Sequence, residues 1–321
     1  MNLPEAIRGV LGADIGGTNI KWAHLIRGEV AAAGSLPTPA DGPAAVAAAI
    51  ARIARDRRAA RLGVAVPGHL TPDMRHTTVI PNTAGNWDRY PLADRLHDLA
   101  GAPAVLINDA RAFALAESTL GAARDRPDAL FLILGTGIGA AIRLRGIVLR
   151  GPGDRIGEIG HMTVLPDGPP CGCGARGCLE AIAGGRALAA AWSPATPGGS
   201  EPRHAKATPK DVVDAARAGD ASALDLLASA GTALGIALGN VLTLLALNTV
   251  VIGGGVAPAF ELMRPAVTRA LDARAAVIGT AEFLPAALGT RAGAVGAALN
   301  ASGAANTQCW DPAADAMARR N

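Results

Sequence analysis

VLGADIGGTNIKWAHLI, residues 10–26, places two apolar segments on either side of a Gly-Gly pair. Val10–Ile15 predicts one strand and Asn19–Ile26 a second, and the glycines between them favour a tight hairpin turn. The same arrangement recurs in ALFLILGTGIGAAIRL, residues 129–144, where the turn is again rich in glycine. The repetition predicts two related halves, each with a hairpin whose turn can face a phosphate.

Strands and helices alternate through the rest of the chain, which is typical of the α/β class. Pro103–Asp109 predicts a strand that runs directly into a helix over 110–121, and Thr249–Pro258 predicts a buried strand that ends in three glycines. Ala223–Ala246 predicts a long apolar helix or a pair of helices. Between Arg186 and Lys210, the Pro/Gly/Ser-rich interval SPATPGGSEP predicts an exposed loop.

Length and composition restrict the class of protein. A chain of 321 residues predicts about two domains, and half of the residues are hydrophobic, so a sizeable core can form. The net charge is +3, and the arginines are scattered without interleaved aromatic residues, which argues against nucleic-acid binding. We find no apolar run of the roughly 18 residues that a membrane span needs and no signal peptide in MNLPEAIRGV. We therefore expect a cytoplasmic protein with no membrane partner.

Three glycine turns, in ADIGGTNIK, LGTGIGA and VIGGGVAP, each follow an apolar strand. Any one of them alone is more simply a tight turn in which glycine supplies a positive φ. Consecutive backbone N–H groups in such turns can also converge on an anion, and Thr18 and Asn19 add side-chain donors. The spacing matches neither a Walker loop nor a Rossmann fingerprint. The three turns together favour a site for nucleotide phosphates.

An acidic residue, Asp14, ends the first apolar strand, where an uncompensated carboxylate is costly. A hydrated Mg²⁺ ion between this carboxylate and the phosphates would offset that cost. The position therefore predicts Mg²⁺ bound together with the nucleotide.

Asp109, in LINDARAFALAE, follows a strand and precedes a helix. An aspartate in this position is commonly a helix N-cap, and on this stretch alone the cap is the favoured interpretation. The alternative is a general base, because phosphoryl transfer to a hydroxyl needs a carboxylate that takes the hydroxyl proton.

His161, Cys171, Cys173 and Cys178 lie within one glycine-rich segment, GEIGHMTVLPDGPPCGCGARGCLE. Three thiolates and an imidazole match a closed, tetrahedral and therefore structural zinc site. A redox pair of the C-x-x-C type is absent, and a cluster of free buried thiols is the weaker alternative.

Two glutamates, Glu158 and Glu180, flank this cysteine segment. Most glutamates are ordinary surface charges. On a loop stiffened by zinc, however, these two carboxylates could accept hydrogen bonds from the hydroxyls of a polyol.

Together these motifs resemble the ROK family (repressors, open reading frames and sugar kinases) over residues 12–296. ADIGGTNIK is similar to the family's first phosphate motif, LGTGIGA to its second and VIGGGVAP to its adenosine motif. INDARAFALAE resembles the catalytic segment, and GEIGH with CGCGARGCLE resembles the signature and zinc motif. The resemblance implies the actin-like ATPase (ribonuclease H-like) fold, with two lobes around a central cleft. It also implies ATP-dependent phosphorylation of a hexose or N-acetylhexosamine, usually at the 6-hydroxyl.

The resemblance further implies roles for individual residues, with Asp109 as the catalytic base. The implied sugar-binding residues are Pro67, Gly68, Asn82, Asn108, Asp109, Glu158, His161 and Glu180. The implied nucleotide-binding residues are Asp14, Gly16, Gly17, Thr18, Asn19, Lys21, Gly135, Thr136, Gly137, Gly253, Gly254 and Gly255. His161 would both bind zinc and lie against the sugar.

The chain departs from the family pattern at three places. Arg111 replaces the second Asn of the typical N-D-A-N-A, the usual PNLPGW reads PNTAGNW here, and HLTPDMRH after Gly68 lacks the usual compact turn. The last two departures touch the sugar-facing loops, so they affect the identity of the sugar and not the phosphoryl chemistry.

The most specific expectation is a glucokinase-like enzyme, with an N-acetylmannosamine or N-acetylglucosamine kinase as the alternative. A sugar-responsive transcription regulator is disfavoured because only MNLPEAIRGVLG and one alanine precede Asp14. We expect an N-terminal lobe over 1–109 joined by a helix at about 290–303, a larger lobe over 110–289 and a poorly ordered tail over 304–321. The family implies a homodimer.

Overall fold

The computed structural model describes residues 9–192, 207–303 and 307–308. Residue contacts divide the described residues into two compact units. Within the described residues, unit 1 comprises 9–128, Ala141–Ile156, 286–303 and 307–308, and unit 2 comprises Ala129–Ala140, 157–192 and 207–285. The first division falls after residue 128, later than the boundary expected at 109/110, because the helix after Asn108 packs along the C-terminal helix.

The strands in the described residues are numbered in chain order. They are β1 (Val10–Ile15), β2 (Asn19–Ile26), β3 (Glu29–Pro37), β4 (Arg61–Val66), β5 (His69–Leu70), β6 (Thr77–Val79), β7 (Ala104–Asn108), β8 (Ala129–Leu134), β9 (Ile138–Leu144), β10 (Ile147–Leu149), β11 (Thr249–Gly253), β12 (Glu282–Pro285) and β13 (Thr307–Gln308).

The α-helices are numbered in the same way. They are α1 (Pro43–Asp56), α2 (Leu92–Ala100), α3 (Asp109–Thr119), α4 (Leu179–Ala183), α5 (Gly185–Ala191), α6 (Pro209–Arg217), α7 (Ala221–Leu245), α8 (Phe260–Asp272), α9 (Ala275–Ile278) and α10 (Ala292–Ser302).

The sheet of unit 1 has the strand order β3-β2-β1-β4-β7. β1, β2 and β3 pair antiparallel, whereas β1, β4 and β7 run parallel. Successive side chains of a strand point to opposite faces. One face of this sheet carries large apolar residues, among them Leu11 and Val64, that pack with residues of α1 and α2, among them Ile50 and Leu92.

The opposite face of the same sheet is covered by α10 at very short range. Gly12 and Gly63 are direct partners on β1 and β4, and a Cβ on either would lie 1.8 Å from a carbonyl oxygen of α10, that of Ala294 or Ala297. Gly296 of α10 in turn meets α3, where a Cβ would lie 1.7 Å from the carbonyl oxygen of Ala112. Glycine at these positions is what allows the helix to touch the backbone of both neighbours.

In unit 2, β11 lies between β8 and β12 and is parallel to both. α7 packs against α8 through two more glycines, since a Cβ on Gly231 would lie 2.6 Å from the carbonyl oxygen of Met263 and one on Gly235 2.9 Å from that of Val267. By length and composition alone α7 could cross a membrane, in contrast to the absence of such a run expected from the sequence. More than half of its apolar segment is buried inside the protein, as in a core helix.

Two expected irregular segments fall wholly or partly outside the described residues. The expected loop SPATPGGSEP, which follows α5 and precedes α6 in the sequence, lies outside the described residues. Of the tail over 304–321, only Thr307–Gln308 is described, and it forms β13, which pairs in parallel with Val148–Leu149 of β10.

Candidate active site

The first glycine turn connects β1 to β2 as the sequence predicts. The backbone N–H of Gly16 donates to the carbonyl of Asn19 at 3.1 Å, and the Thr38 hydroxyl donates to the carbonyl of Gly16 at 2.6 Å. Gly17, Thr18 and Asn19 are exposed at the tip. The turn is therefore held from behind by the residue that follows β3, and its tip presents backbone and side-chain donors to solvent.

Asn82 lies directly against this turn. A Cβ on Gly17 would come within 2.8 Å of the carbonyl oxygen of Asn82, which itself has a φ of +62°. Asn82, expected in a sugar-binding loop, thus stands beside the first phosphate turn. The PNTAGNW loop that contains it is anchored by Trp87, which is buried and donates from Nε1 to the carbonyl of Ala84 at 2.9 Å.

Asp14 is half-buried and pairs across the hairpin with Lys21. Burial raises the pKa of the Asp14 carboxyl from 3.8 to about 6, and the nearby charge of Lys21 opposes the shift only in part. On its other side lies the start of α10, where a Cβ on Gly293 would sit 2.5 Å from Oδ2 of Asp14. A carboxylate with a raised pKa at the end of a strand is a site that gains from a bound cation, which suits the Mg²⁺ expected here.

The choice between cap and base for Asp109 is informed by its neighbour. Asn108 is the N-cap of α3: its Oδ1 accepts hydrogen bonds from the N–H groups of Ala110 at 2.9 Å and Arg111 at 3.4 Å. Asp109 is the first residue of the helix and is half-buried, and its Oδ1 accepts from the N–H of Ala110 at 2.8 Å. The helix start is thus satisfied chiefly by Asn108, so the carboxylate of Asp109 is not needed as the cap.

Asn108 is only 4% exposed, and both the nitrogen and the oxygen of its side-chain amide form hydrogen bonds. Its Nδ2 donates to the carbonyl of Gly68 at 2.9 Å, and its Oδ1 also accepts from Nη1 of Arg111 at 2.7 Å. Gly68 has a φ of +92°, and a Cβ there would lie 2.1 Å from the carbonyl oxygen of Val79. Asn108 therefore fixes the turn after Pro67, and one amide hydrogen remains for a substrate.

Sequence reasoning missed a buried ion pair behind this segment. Arg150 binds Asp154 through two hydrogen bonds, Nε to Oδ1 at 3.0 Å and Nη2 to Oδ2 at 2.8 Å. Asp154 is completely buried and accepts the backbone N–H of Asn108 at 2.7 Å, while Arg150 also donates to the carbonyl of Leu106 at 3.1 Å. The only available signal was an Arg and an Asp four residues apart in RGPGD.

The second glycine turn, between β8 and β9, is held by the start of α5. The N–H of Gly185 donates to the carbonyl of Gly135 and that of Arg186 to the carbonyl of Thr136, both at 3.0 Å. Within the turn, the N–H of Gly135 donates to the carbonyl of Gly137 at 3.0 Å. Thr136 is exposed at the tip, in the same manner as Thr18 in the first turn.

Glu180 also belongs to this second turn. Its Oε2 accepts the backbone N–H of Ile138 at 2.9 Å, and a Cβ on Gly137 would lie 2.1 Å from the same oxygen. Glu180 is in the first turn of α4, two residues after Cys178. The carboxylate expected to bind the sugar is thus in direct contact with the turn expected to bind phosphate.

The third glycine turn follows β11 and meets the end of β8. Gly254 has a φ of +96°, and a Cβ there would lie 2.3 Å from the carbonyl oxygen of Leu134, which also accepts the N–H of Val256 at 2.8 Å. Gly253 is buried, whereas Gly254 and Gly255 are exposed. Because Gly135 follows Leu134, the second and third turns are neighbours within unit 2.

His161 ends a short 3-10 helix, Ile159–His161, and Glu158 immediately precedes that helix. Glu158 is half-buried and His161 is exposed. Gly160 presses this helix onto β9, since a Cβ there would lie 2.2 Å from the carbonyl oxygen of Ile138. The predicted sugar-binding residues of unit 2 are therefore carried on elements that also contact the second glycine turn.

The four predicted metal ligands come together. One ligand atom from each of His161, Cys171, Cys173 and Cys178 lies within 4.8 Å of all the others. Nδ1 of His161 is 3.6 Å from Sγ of Cys171, and the sulfurs of Cys173 and Cys178 are also 3.6 Å apart. Two sulfurs at the usual zinc–sulfur distance in a tetrahedron would be about 3.8 Å apart. The donor set and its spacing thus fit zinc.

The thiols of this cluster differ in their surroundings. Cys178 is buried, and burial raises the pKa of its thiol to about 12, with hydrogen bonds from its S–H to the neighbouring sulfurs adding to the shift. Cys173 is exposed, and the backbone hydrogen bond from Ala175 lowers the pKa of its thiol. Zinc binds cysteine as the thiolate, so a metal ion at this cluster would displace the thiol protons.

Residues 10–303 of the chain match the ROK family. The chain is 35% identical over 314 residues to a glucokinase from Halalkalibacterium halodurans, covering 90% of this chain and 93% of the relative. It is 33% identical over 296 residues to an N-acetylmannosamine kinase from Escherichia fergusonii, covering 91% of this chain and 98% of the relative.

Among solved structures, the chain is similar to a ROK family glucokinase from Streptomyces griseus in complex with glucose and AMPPNP. The TM-score is 0.75 at 29% identity, over 92% of this chain and 99% of that one. The fold is the α/β, actin-like ATPase (ribonuclease H-like) fold, which confirms the fold class expected from the sequence.

Proposed function

Because the chain belongs to the ROK family, we propose that it is an ATP-dependent sugar kinase that transfers the γ-phosphoryl group to the 6-hydroxyl of a hexose. The observation that carries the proposal is the start of α3, where Asn108 caps the helix and Asp109 stands next to it, half-buried. Such a carboxylate can take the proton of an attacking hydroxyl.

Asp109 accepts the proton of the sugar hydroxyl as its oxygen attacks the γ-phosphorus. The bond between that phosphorus and the bridging oxygen breaks, and ADP leaves with the electron pair. The backbone N–H groups of the first and second glycine turns cradle the phosphates, and Gly254 and Gly255 border the nucleoside. Mg²⁺, held through Asp14, would neutralise the charge of the phosphates.

The proposed sugar contacts come from the family motifs. In unit 1 they are Pro67, Gly68, Asn82, Asn108 and Asp109. In unit 2, Glu158, His161 and Glu180 accept or donate hydrogen bonds to the hydroxyl groups. These assignments rest on the family motifs, on the half-buried positions of the carboxylates and on the rigid backbone that surrounds them.

Glucose is the first candidate for the sugar. The glucokinase from Halalkalibacterium halodurans supports it, as does the Streptomyces griseus enzyme, which was crystallised with glucose. An N-acetylmannosamine or N-acetylglucosamine kinase is the second candidate, favoured by the Escherichia fergusonii relative and by the unusual PNTAGNW loop beside Gly17.

Zinc held by His161, Cys171, Cys173 and Cys178 has a structural role in this proposal. With all four ligands from the protein, the metal would keep Glu158, His161 and Glu180 in place. Metal analysis of the purified protein should give about one zinc per chain. A fully active protein without bound zinc would contradict this assignment.

The proposed enzyme is cytoplasmic and forms a homodimer, as the family resemblance implies. Light scattering coupled to gel filtration measures the mass in solution directly. A mass of one chain at the concentration used in the activity assay would contradict the dimer.

The test of the function is release of ADP with Mg-ATP in the presence of glucose, mannose, fructose, N-acetylmannosamine or N-acetylglucosamine. We expect release that depends on glucose and yields a 6-phosphate ester detectable by ³¹P NMR. Strong preference for N-acetylmannosamine selects the second candidate, and absence of stimulation by any sugar contradicts the kinase. Repeating the assay for the 6-phosphate ester with polyphosphate in place of ATP identifies the phosphoryl donor.

A further inference from the structure

Arg111 lies in the first turn of α3 and is one of the largest fully buried side chains, with 1% of its surface exposed. A buried guanidinium is costly unless its donors find acceptors. Nη1 donates to Oδ1 of Asn108 at 2.7 Å, and Nη2 donates to the backbone carbonyl of Ile156. The arginine therefore connects the catalytic segment to the segment that immediately precedes Gly157 and Glu158 in the sequence.

The contact with Asn108 helps to decide which way its amide faces. The two ends of an amide have opposite hydrogen-bonding character, so a flipped Asn108 would direct its NH₂ group at the guanidinium of Arg111 and the N–H of Ala110. The guanidinium, together with the backbone N–H groups of Ala110 and Arg111, opposes that orientation and keeps Nδ2 directed at the carbonyl of Gly68, 2.9 Å away. The buried Arg111 side chain thereby contributes to the orientation of Asn108.

Asn108 is also fixed through its backbone. Its N–H donates to the buried carboxylate of Asp154 at 2.7 Å, and Arg150 holds that carboxylate with two hydrogen bonds. The residue before Asp109 is thus immobilised at its N–H, its amide oxygen and its amide nitrogen. Among the donors to the amide oxygen, the guanidinium of Arg111 is the one that departs from the family's N-D-A-N-A pattern.

We propose that Arg111 is a positioning residue for phosphoryl transfer: it orients the amide of Asn108, and through it the Gly68 turn and the carboxylate of Asp109. The asparagine usual in the family offers one amide nitrogen in place of two guanidinium nitrogens, so it cannot replace both bonds in the same way. This inference rests on the proposed kinase function and adds to it a second residue on which the geometry depends.

The first test is Arg111→Met in the full chain. We expect kcat to fall on the order of 10–100-fold and KM for the sugar to rise, with KM for ATP within about twofold of wild type. Arg143→Met is the matched control, because Arg143 also donates to two backbone carbonyls, those of Ala123 and Arg126, away from the site. An Arg111→Met variant that is folded by circular dichroism and retains wild-type kcat would overturn the proposal.

A double-mutant cycle separates positioning from a merely structural role. Asn108→Ser retains an N-cap but cannot reach both Arg111 and Gly68. If Arg111 acts through Asn108, adding Arg111→Met to Asn108→Ser should change kcat by less than about twofold. Multiplicative losses in the double variant would contradict the proposal.

A conservative variant covers the case in which Arg111→Met does not fold. Arg111→Lys keeps the charge but supplies one nitrogen in place of two. We expect a folded protein whose kcat is reduced at least about fivefold, and kcat within about twofold of wild type would overturn the proposal. Sugar-stimulated ADP release by the wild-type enzyme tests the kinase function itself, so the two failures are distinguishable.

Discussion

At the scale of single residues, the structure frees Asp109 from the role that aspartate most often has at the start of a helix. Asn108 binds the N–H groups of the first helical turn, so the carboxylate of Asp109 is not required to cap the helix. The capping role belongs to Asn108, and Asp109 remains available for the proton transfer proposed above.

Asp109→Asn should lower kcat by about 10²–10⁴-fold, because the amide cannot accept the hydroxyl proton. Sugar binding measured by calorimetry and the melting temperature should stay close to wild type. Asp94→Asn is the matched control, since Asp94 also lies in the first turn of a helix but pairs with Arg75 on the surface. Wild-type kcat in the Asp109 variant would contradict the proposed base.

Asp14 makes stability depend on pH in a direction opposite to that of most carboxylates. Folding raises its pKa from 3.8 to about 6, so its stabilising contribution is complete below pH 3.8 and is lost as the pH rises through 6. Asp14→Asn cannot ionise and should gain stability relative to wild type over this range, by up to about 3 kcal/mol at pH 7.

Urea unfolding at pH 4.5 and pH 7 without magnesium or nucleotide measures this difference. Asp73→Asn is the control of opposite sign, because the hydrogen bond from Thr71 lowers the pKa of Asp73. That variant should lose stability relative to wild type as the pH rises. A difference between wild type and Asp14→Asn that does not vary with pH would show that Asp14 has an ordinary pKa.

At the scale of elements, the second glycine turn and α4 share one carboxylate. Glu180 accepts the N–H of Ile138 and fills the space over Gly137. The predicted zinc-binding segment ends at Cys178, and α4, which contains Glu180, begins at the next residue. A segment stiffened by zinc would therefore lead directly into the helix that supports the second glycine turn. The positions of the carboxylate proposed to bind the sugar and of the turn proposed to bind phosphate therefore depend on each other.

Gly137→Ala should weaken the binding of both substrates. The new methyl group would lie 2.1 Å from Oε2 of Glu180 and must displace it. We expect the Kd values of AMPPNP and of glucose, each measured alone by calorimetry, to rise together. Gly172→Ala is the control, as a Cβ there meets no atom within 4 Å. A rise in the Kd of AMPPNP alone would show that Glu180 does not contact the sugar.

The local sequence was sufficient for the elements and for the zinc cluster, but not for the contacts that support the site. Glycine-rich turns between apolar segments marked both hairpins, and four ligands within one short segment marked the metal site. The bond from Ile138 to Glu180 spans 42 residues and that from Asn108 to Asp154 spans 46, so no local pattern reveals them. The burial of Arg111 escaped notice because arginine is almost always exposed.

At the scale of the whole molecule, the packing of unit 1 depends on α10. The helix lies on Gly12 and Gly63 at a distance that leaves no room for any side chain. Its first turn also places Gly293 against Asp14. The C-terminal helix therefore contributes both to the fold of unit 1 and to the surroundings of the proposed magnesium ligand.

Gly63→Ala should lower the free energy of unfolding by about 1–3 kcal/mol or more, because its methyl group would lie 1.8 Å from the carbonyl oxygen of Ala297. Ala33→Val on the exposed edge strand β3 adds two carbon atoms where there is space and should change the stability little. Urea denaturation of both variants measures the difference. An unchanged midpoint for Gly63→Ala would show that α10 is not closely packed on the sheet.

The position of α10 in the chain also has a consequence for synthesis on the ribosome. The strands of the unit 1 sheet are translated by Asn108, but the helix that covers one face of that sheet ends at Ser302. Domains translated as one continuous stretch can fold as they emerge, whereas contacts between distant parts of the chain must wait. The nascent chain therefore exposes the glycine-lined face of the sheet until α10, translated almost 200 residues after β7, has left the exit tunnel.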